Sequence, residues 1–262
     1  MTAPISGQEL ARAPRSALGE LRSAVAFLTR LPVAGTAQRS AGAAAFGVVG
    51  ALIGLLGAAL LVAVGGRAPL AAAGLALGAM AGLSGGLHLD GLADTFDALA
   101  ARTPEAANTA RRDPRVGSAG AAALTIAILV QASLLAALIE TAGPALAGVG
   151  CVVAAAGSRV GPVLVSALAR APNGTGVGAW FAARTSAAAA VVAVASAAAI
   201  ATGAAVIAGR PGLLTATLVG MGIALGGSGW LIRARGGLDG DAFGTIVEFE
   251  FLATLLVLVF TL

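Results

Sequence analysis

Three aspartates spaced i, i+4, i+7 form the densest acidic feature of this chain: Asp90, Asp94 and Asp97 in HLDGLADTFDAL, residues 88–99. On a helix they share one face. Three like charges on one stripe repel, and nothing in the neighbouring sequence neutralises them. Such a stripe suits a divalent cation. Mg²⁺ takes oxygen ligands, prefers a few carboxylates, and fills its remaining positions with water and substrate phosphates. His88, the only histidine, stands two residues before Asp90. It could orient an aspartate or accept a proton near neutral pH.

A second acidic group lies in RARGGLDGDAFGTIVEFEF, residues 233–251. Asp239 and Asp241 occupy a Gly-rich turn, and Glu248 follows Asp241 by seven residues. A helix starting near Asp241 would point Asp241 and Glu248 the same way. Glu250 points to another face and could simply snorkel. Arginines accompany both groups. Arg111, Arg112 and Arg115 flank Asp113, Arg159 follows Ser158 inside an apolar stretch, and Arg233 and Arg235 adjoin the second acidic group. Guanidinium groups bind phosphate through a rigid fork of donors. Arg159 is the one that headgroup contact or topology does not explain, since a charge inside a membrane span is costly. Carboxylates with Mg²⁺ beside arginines suit phosphoryl or nucleotidyl transfer by direct in-line attack, with a spare carboxylate or His88 taking the proton of an attacking alcohol.

These groups need a scaffold, and the composition says which kind. Of 262 residues, 58% are hydrophobic and only 11% charged, with a mean hydropathy of +0.94. That leaves too little polar surface for a soluble domain and too little charge for disorder. The single Cys151 excludes an intramolecular disulfide and any Cys-x-x-Cys site. All 16 basic residues are arginine. In so apolar a chain they mark membrane topology rather than a nucleic-acid partner. The expected fold is an all-α polytopic transmembrane bundle of about seven spans, near 43–65, 68–88, 117–139, 142–169, 186–209, 212–232 and 246–262.

Residues 1–42 form an N-terminal segment, and 43–262 the membrane domain. Leu18, Leu21, Val25 and Leu28 repeat at helical spacing, so residues 17–31 read as an amphipathic helix in the interface plane, ended by Pro32. With residues 1–42 in the cytoplasm, segments 89–116, 170–185 and 233–245 join them there, and together they carry 13 of the 16 arginines. Both acidic groups then face the cytoplasm. Gly47, Gly50, Gly54 and Gly57 read as helix-packing positions. NGTGVG, residues 173–178, reads as a flexible loop, since no strand precedes it.

FLTRLPV (27–33), HLDGLADTFDAL (88–99), RDPRVGSAG (112–120), Ser158-Arg159 and GGLDGDAFGTIVEFE (236–250) together resemble the cobalamin synthase, or adenosylcobinamide-GDP ribazoletransferase, family. The motifs run in the family's order over most of the chain. The resemblance implies a multi-pass, Mg²⁺-dependent enzyme of the cell inner membrane. Its substrates would be adenosylcobinamide-GDP and α-ribazole or its 5′-phosphate, with GMP released. It also implies metal or diphosphate roles for Asp90, Asp94, Asp97, Asp241 and Glu248, with His88 at the reaction. Arg112, Asp113, Arg115 and Arg159 would bind substrate phosphates or position the carboxylates, with Ser158, Arg235, Gly236 and Gly237 also at the substrate. A homo-oligomer is compatible with it. One position departs: Asp239 stands where the family often has Thr, and it is either an added ligand or merely solvated. Two other classes share parts of the pattern. CDP-alcohol phosphotransferases use clustered aspartates and Mg²⁺, but place their second aspartate group close behind the first on one helix. A cation-coupled transporter would hold its acids near the bilayer midplane, whereas these are grouped at one face.

Overall fold

The computed structural model describes residues 16–34, 40–103, 105–107, 115–168, 176–235 and 239–262, with Ala234 and Arg235 described in backbone only. All regular structure among them is helical. Helix α1 (Ala17–Leu28) is capped by Ser16, whose Oγ accepts from the Gly19 amide at 3.1 Å. It ends three residues before the anticipated boundary, where the Thr29 amide returns to the Val25 carbonyl. A 3-10 turn (Ala43–Ala45) leads into α2 (Phe46–Val64), and α3 (Pro69–Ser84) opens on a proline at its first position. Then follow α4 (Leu87–Ala100), α5 (Ser118–Ala142), α6 (Pro144–Ser158), α7 (Val160–Leu168), α8 (Val177–Arg184), α9 (Ala187–Ala208), α10 (Gly212–Arg235) and α11 (Gly240–Thr261).

Six segments are long and apolar enough to cross a membrane: Ala43–Val64, Ser118–Ala142, Pro144–Leu168, Ala187–Ala208, Gly212–Arg233 and Gly240–Thr261. The seventh is broken. At 16 residues, α3 is about 24 Å long, short of the ~30 Å hydrocarbon layer. The chain then turns through Gly85 and Gly86, both left-handed at φ 66° and 73°, and α4 leaves at 92° to α3. The span expected at 68–88 therefore stops at Ser84, and the aspartate helix turns away from α3 instead of continuing it. The fourth span is interrupted too: Arg159 sits between α6 and α7. The last one begins at Gly240 rather than 246, so Asp241 and Glu248 stand on one helix.

Small residues set the packing. A Cβ at Gly50 would lie 2.4 Å from the Ala155 carbonyl oxygen, and one at Gly54 2.8 Å from Val152 Cα. Thus α2 and α6 touch backbone to backbone, as small residues permit in membrane bundles. Gly47 meets α9 at Ser196 in the same way. The described parts of the four segments assigned to one side of the membrane gather at one end of the bundle. Phe27 packs on Phe181 at 5.5 Å between ring centroids, Gly178 lies against Asp239 and Gly240, Gly91 against Asp241, and Gly117 against Asp97.

Gly50→Val should force α2 and α6 apart and destabilise the bundle by about 1–3 kcal/mol. Gly226→Ala should be nearly neutral, since nothing lies within 4 Å of its Cβ position. Thermal unfolding of the two variants in one detergent checks the contrast.

Candidate active site

The two acidic groups meet where α4 crosses the start of α11. A Cβ on Gly91 would stand 2.8 Å from the Asp241 carbonyl oxygen and 3.2 Å from Gly244 Cα, and one on Gly244 would stand 2.8 Å from the His88 carbonyl oxygen. Glycine at both positions lets the helix backbones touch. Thr245 ties the crossing: its Oγ1 donates within its own helix to the Asp241 carbonyl at 3.0 Å and faces the Gly91 carbonyl at 3.3 Å. Residues 90–97 and 241–248, about 150 positions apart in sequence, thereby share one site.

Three cavities converge on this crossing. The first, the aromatic chamber of about 230 Å³, is bordered by Asp90 and Asp241 and by Phe27, Phe46, Phe181 and Phe243. The second, a wide mouth, shares Asp90 and Phe27 with the chamber and adds Arg30 and the Gly85–Gly86 turn. The third, a lateral cavity, runs along α3 past Gly74 and Gly78 to a floor of His88, Gln131, Arg159 and Glu248. His88 and Arg159 line both the chamber and the lateral cavity.

Arg159 is 5% exposed. Its Nη1 donates to Ser158 Oγ at 2.9 Å, while its Nε has no hydrogen-bond partner. Ser158 in turn is held by the Ala155 carbonyl at 3.3 Å. The break between α6 and α7 thus presents a cation, partly unpaired, to both cavities. Glu248 is buried and accepts from Gln131 Nε2 at 2.8 Å, which meets the need of an intramembrane carboxylate for a partner. Glu250 is fully buried and does not snorkel. Its oxygens face the Gly157–Gly161 stretch.

The carboxylates of α4 do not act as one stripe. Asp90 is exposed at the chamber and the mouth. Asp94 is half-buried and has an interaction of its own. Both oxygens of Asp97 are taken by backbone amides: Oδ2 accepts from Gly117 at 2.7 Å and Oδ1 from Gly120 at 2.8 Å. Asp97 therefore caps the N-terminus of α5, where a negative charge is favoured by the helix dipole. Gly117 and Gly120 leave room for that carboxylate. Asp239 is a cap as well, accepting from the Ala242 amide at 2.9 Å and starting α11. Neither alternative raised for it, added ligand or merely solvated, anticipated that bond.

Among the described residues no three His, Cys, Asp or Glu converge closely enough to hold a metal between them. The five-carboxylate metal set of Asp90, Asp94, Asp97, Asp241 and Glu248 is not assembled as one cage. What the structure does supply is two carboxylates, Asp90 and Asp241, on one cavity. That donor set fits Mg²⁺, which is commonly bound through one or two carboxylates with water and phosphate oxygens completing its octahedron. Arg115 is exposed and engaged in an interaction. Arg112, Asp113, Gly236 and Gly237, and the side chain of Arg235, lie outside the described residues.

Sequence reasoning missed three contributors. Arg30 belongs to FLTRLPV; its amide donates to the Leu83 carbonyl at 2.8 Å and its side-chain stem lies on Gly85, so it lines the mouth. Gln131 is one polar residue in an apolar span, a signal that was available. The phenylalanine group carries no spacing pattern, because it is drawn from α1, α2, α8 and α11.

Compared with known proteins, residues 20–259 match the family model described as cobalamin-5-phosphate synthase. An adenosylcobinamide-GDP ribazoletransferase of Bradyrhizobium diazoefficiens is 34% identical over 264 residues, covering 93% of this chain and 94% of that protein. Proteins of the same name from Pseudomonas paraeruginosa and Corynebacterium efficiens are each 34% identical over 139 and 166 residues, which span 57% and 59% of their lengths. No solved structure matches.

Asp97→Asn should leave one α5 amide without an acceptor and Asp97→Ala two, at about 1.5–3 kcal/mol for each amide. A graded loss of thermal stability in that order is expected. Equal stability of both variants with wild type would remove the capping role.

Proposed function

The chain belongs to the cobalamin-5-phosphate synthase family, and from that premise we propose that it is an adenosylcobinamide-GDP ribazoletransferase acting late in cobalamin biosynthesis, with Mg²⁺ at Asp90 and Asp241. A hydroxyl of the ribose of α-ribazole, or of its 5′-phosphate, attacks the phosphorus on the cobinamide side of the diphosphate. The new oxygen–phosphorus bond forms as the bond to the bridging oxygen breaks, and GMP leaves with that oxygen. Family membership speaks against the CDP-alcohol phosphotransferase and transporter readings.

The observation that carries this reading is the contact of α4 with α11, which sets Asp90 and Asp241 on a single cavity beside Arg159. Mg²⁺ bound there would neutralise diphosphate oxygens and support the leaving group. The chain's own residues do the rest. Arg30 at the mouth and Arg159 at the chamber can hold phosphate oxygens through forked donors. Asp241 and His88 border the chamber, within the region where an acceptor hydroxyl would lose its proton. Gln131 holds the Glu248 carboxylate in one position below them. The arginine balance supports placing this end of the bundle in the cytoplasm and the protein in the inner membrane.

Purified protein incubated with adenosylcobinamide-GDP, α-ribazole and Mg²⁺ should release GMP and yield a product of the joined mass. Release of CMP from a CDP-alcohol, or none with these substrates, would overturn the assignment. EDTA should stop turnover and added Mg²⁺ restore it; full activity in chelator would remove the metal. Asp90→Asn and Asp241→Asn should each lower kcat by about 10²–10³-fold while the protein remains membrane-inserted, read by turnover and by extraction from membranes.

A further inference from the structure

The aromatic chamber has a character that the charged chemistry beside it does not require. Most of its lining is apolar: Phe27, Phe46, Phe181 and Phe243, contributed by four separate helices, with Val177 and Val247 beside them. The rings are arranged as tilted and edge-on neighbours: Phe46 and Phe181 lie 5.2 Å apart between centroids, and Phe181 and Phe243 5.7 Å apart at 66°. These are the attractive aromatic geometries. Among the described residues, the charged or titratable groups lining this space are His88, Asp90, Arg159 and Asp241, from α4, the α6–α7 break and the start of α11. A ligand filling the chamber would therefore keep its polar end against the carboxylates and its apolar end among the rings.

We infer that the chamber is the subsite for the acceptor's base, and that it selects a planar base whose edges carry few hydrogen-bonding groups. The inference rests on the ribazoletransferase reading and deepens it. Placed this way, the acceptor's ribose lies beside Asp90 and Asp241. Because Asp90 also lines the mouth, the donor's diphosphate can reach the same carboxylate through the mouth, so the two reactants meet there. The guanine of the donor is a poorer occupant, since its oxo and amino groups would be buried without partners among phenylalanines. The arrangement also gives α1 a task. Phe27 closes the chamber, and its outer face stacks on Trp180 at 6.0 Å and 9°.

That stack supplies a readout independent of turnover. The chain has two tryptophans, and Trp230 lies on α10 away from the chamber, so Trp230→Phe leaves Trp180 as the sole indole. In full-length Trp230→Phe protein, a benzimidazole riboside should change Trp180 fluorescence saturably without donor or Mg²⁺, and guanosine should not. In turnover, the wild type should favour benzimidazole riboside over the corresponding adenine riboside. Phe46→Ala and Val177→Asn should raise the acceptor KM roughly 10- to 100-fold, leave the KM for adenosylcobinamide-GDP unchanged, and weaken the base preference. Saturable binding of guanosine in place of the benzimidazole riboside, or a rise in the donor KM instead of the acceptor KM, would overturn the inference. Failure of every acceptor to release GMP, with the fluorescence response intact, would count against the ribazoletransferase reading and leave the subsite standing.

Discussion

The site depends on two helix backbones being allowed to touch. Gly91 on α4 and Gly244 on α11 interlock at distances that no side chain would permit, and Thr245 bridges the crossing. Every other feature follows from that contact. It brings Asp90 onto the same cavity as Asp241, sets His88 over the start of α11, and fixes where the mouth, the chamber and the lateral cavity adjoin. The membrane environment makes such an arrangement economical. With no hydrophobic drive between helices surrounded by lipid, close packing of small residues supplies the association, and glycine at the crossing serves both assembly and site geometry.

The polar groups beneath the crossing obey a second constraint. Within an apolar bundle each must find a partner or line a cavity. Glu248 has Gln131, and Arg159 has Ser158 with one nitrogen left over. Arg159 stands where the fourth span is interrupted, so the helix break and the buried cation occur together. Glu250, on the rear of α11, lies against the glycines on either side of that break. A carboxylate on each side of α11 thus faces the region of a single guanidinium.

Much of this was legible in the residues. Apolar lengths gave the spans, arginine balance grouped the loops that do meet at one end, and the Asp241–Glu248 spacing foretold a common helix. What escaped notice had physical causes. Asp90, Asp94 and Asp97 share a helical face, but spacing cannot say what the face meets, and Asp97 meets the amides of α5. The span drawn through 88 crossed Ser84-Gly85-Gly86, a stretch that reads as flexible, but residue types alone do not say that both glycines turn left-handed and end the helix there. The phenylalanines come from four distant helices, and no local pattern could assemble them.

The right-angled departure of α4 from α3 separates two directions of adjustment. A step of one residue displaces a side chain by about 1.5 Å along its helix. On α4 that displacement is nearly perpendicular to the axis of α3. The aspartates of α4 can therefore shift relative to their partners on α11 without any change in the length of α3.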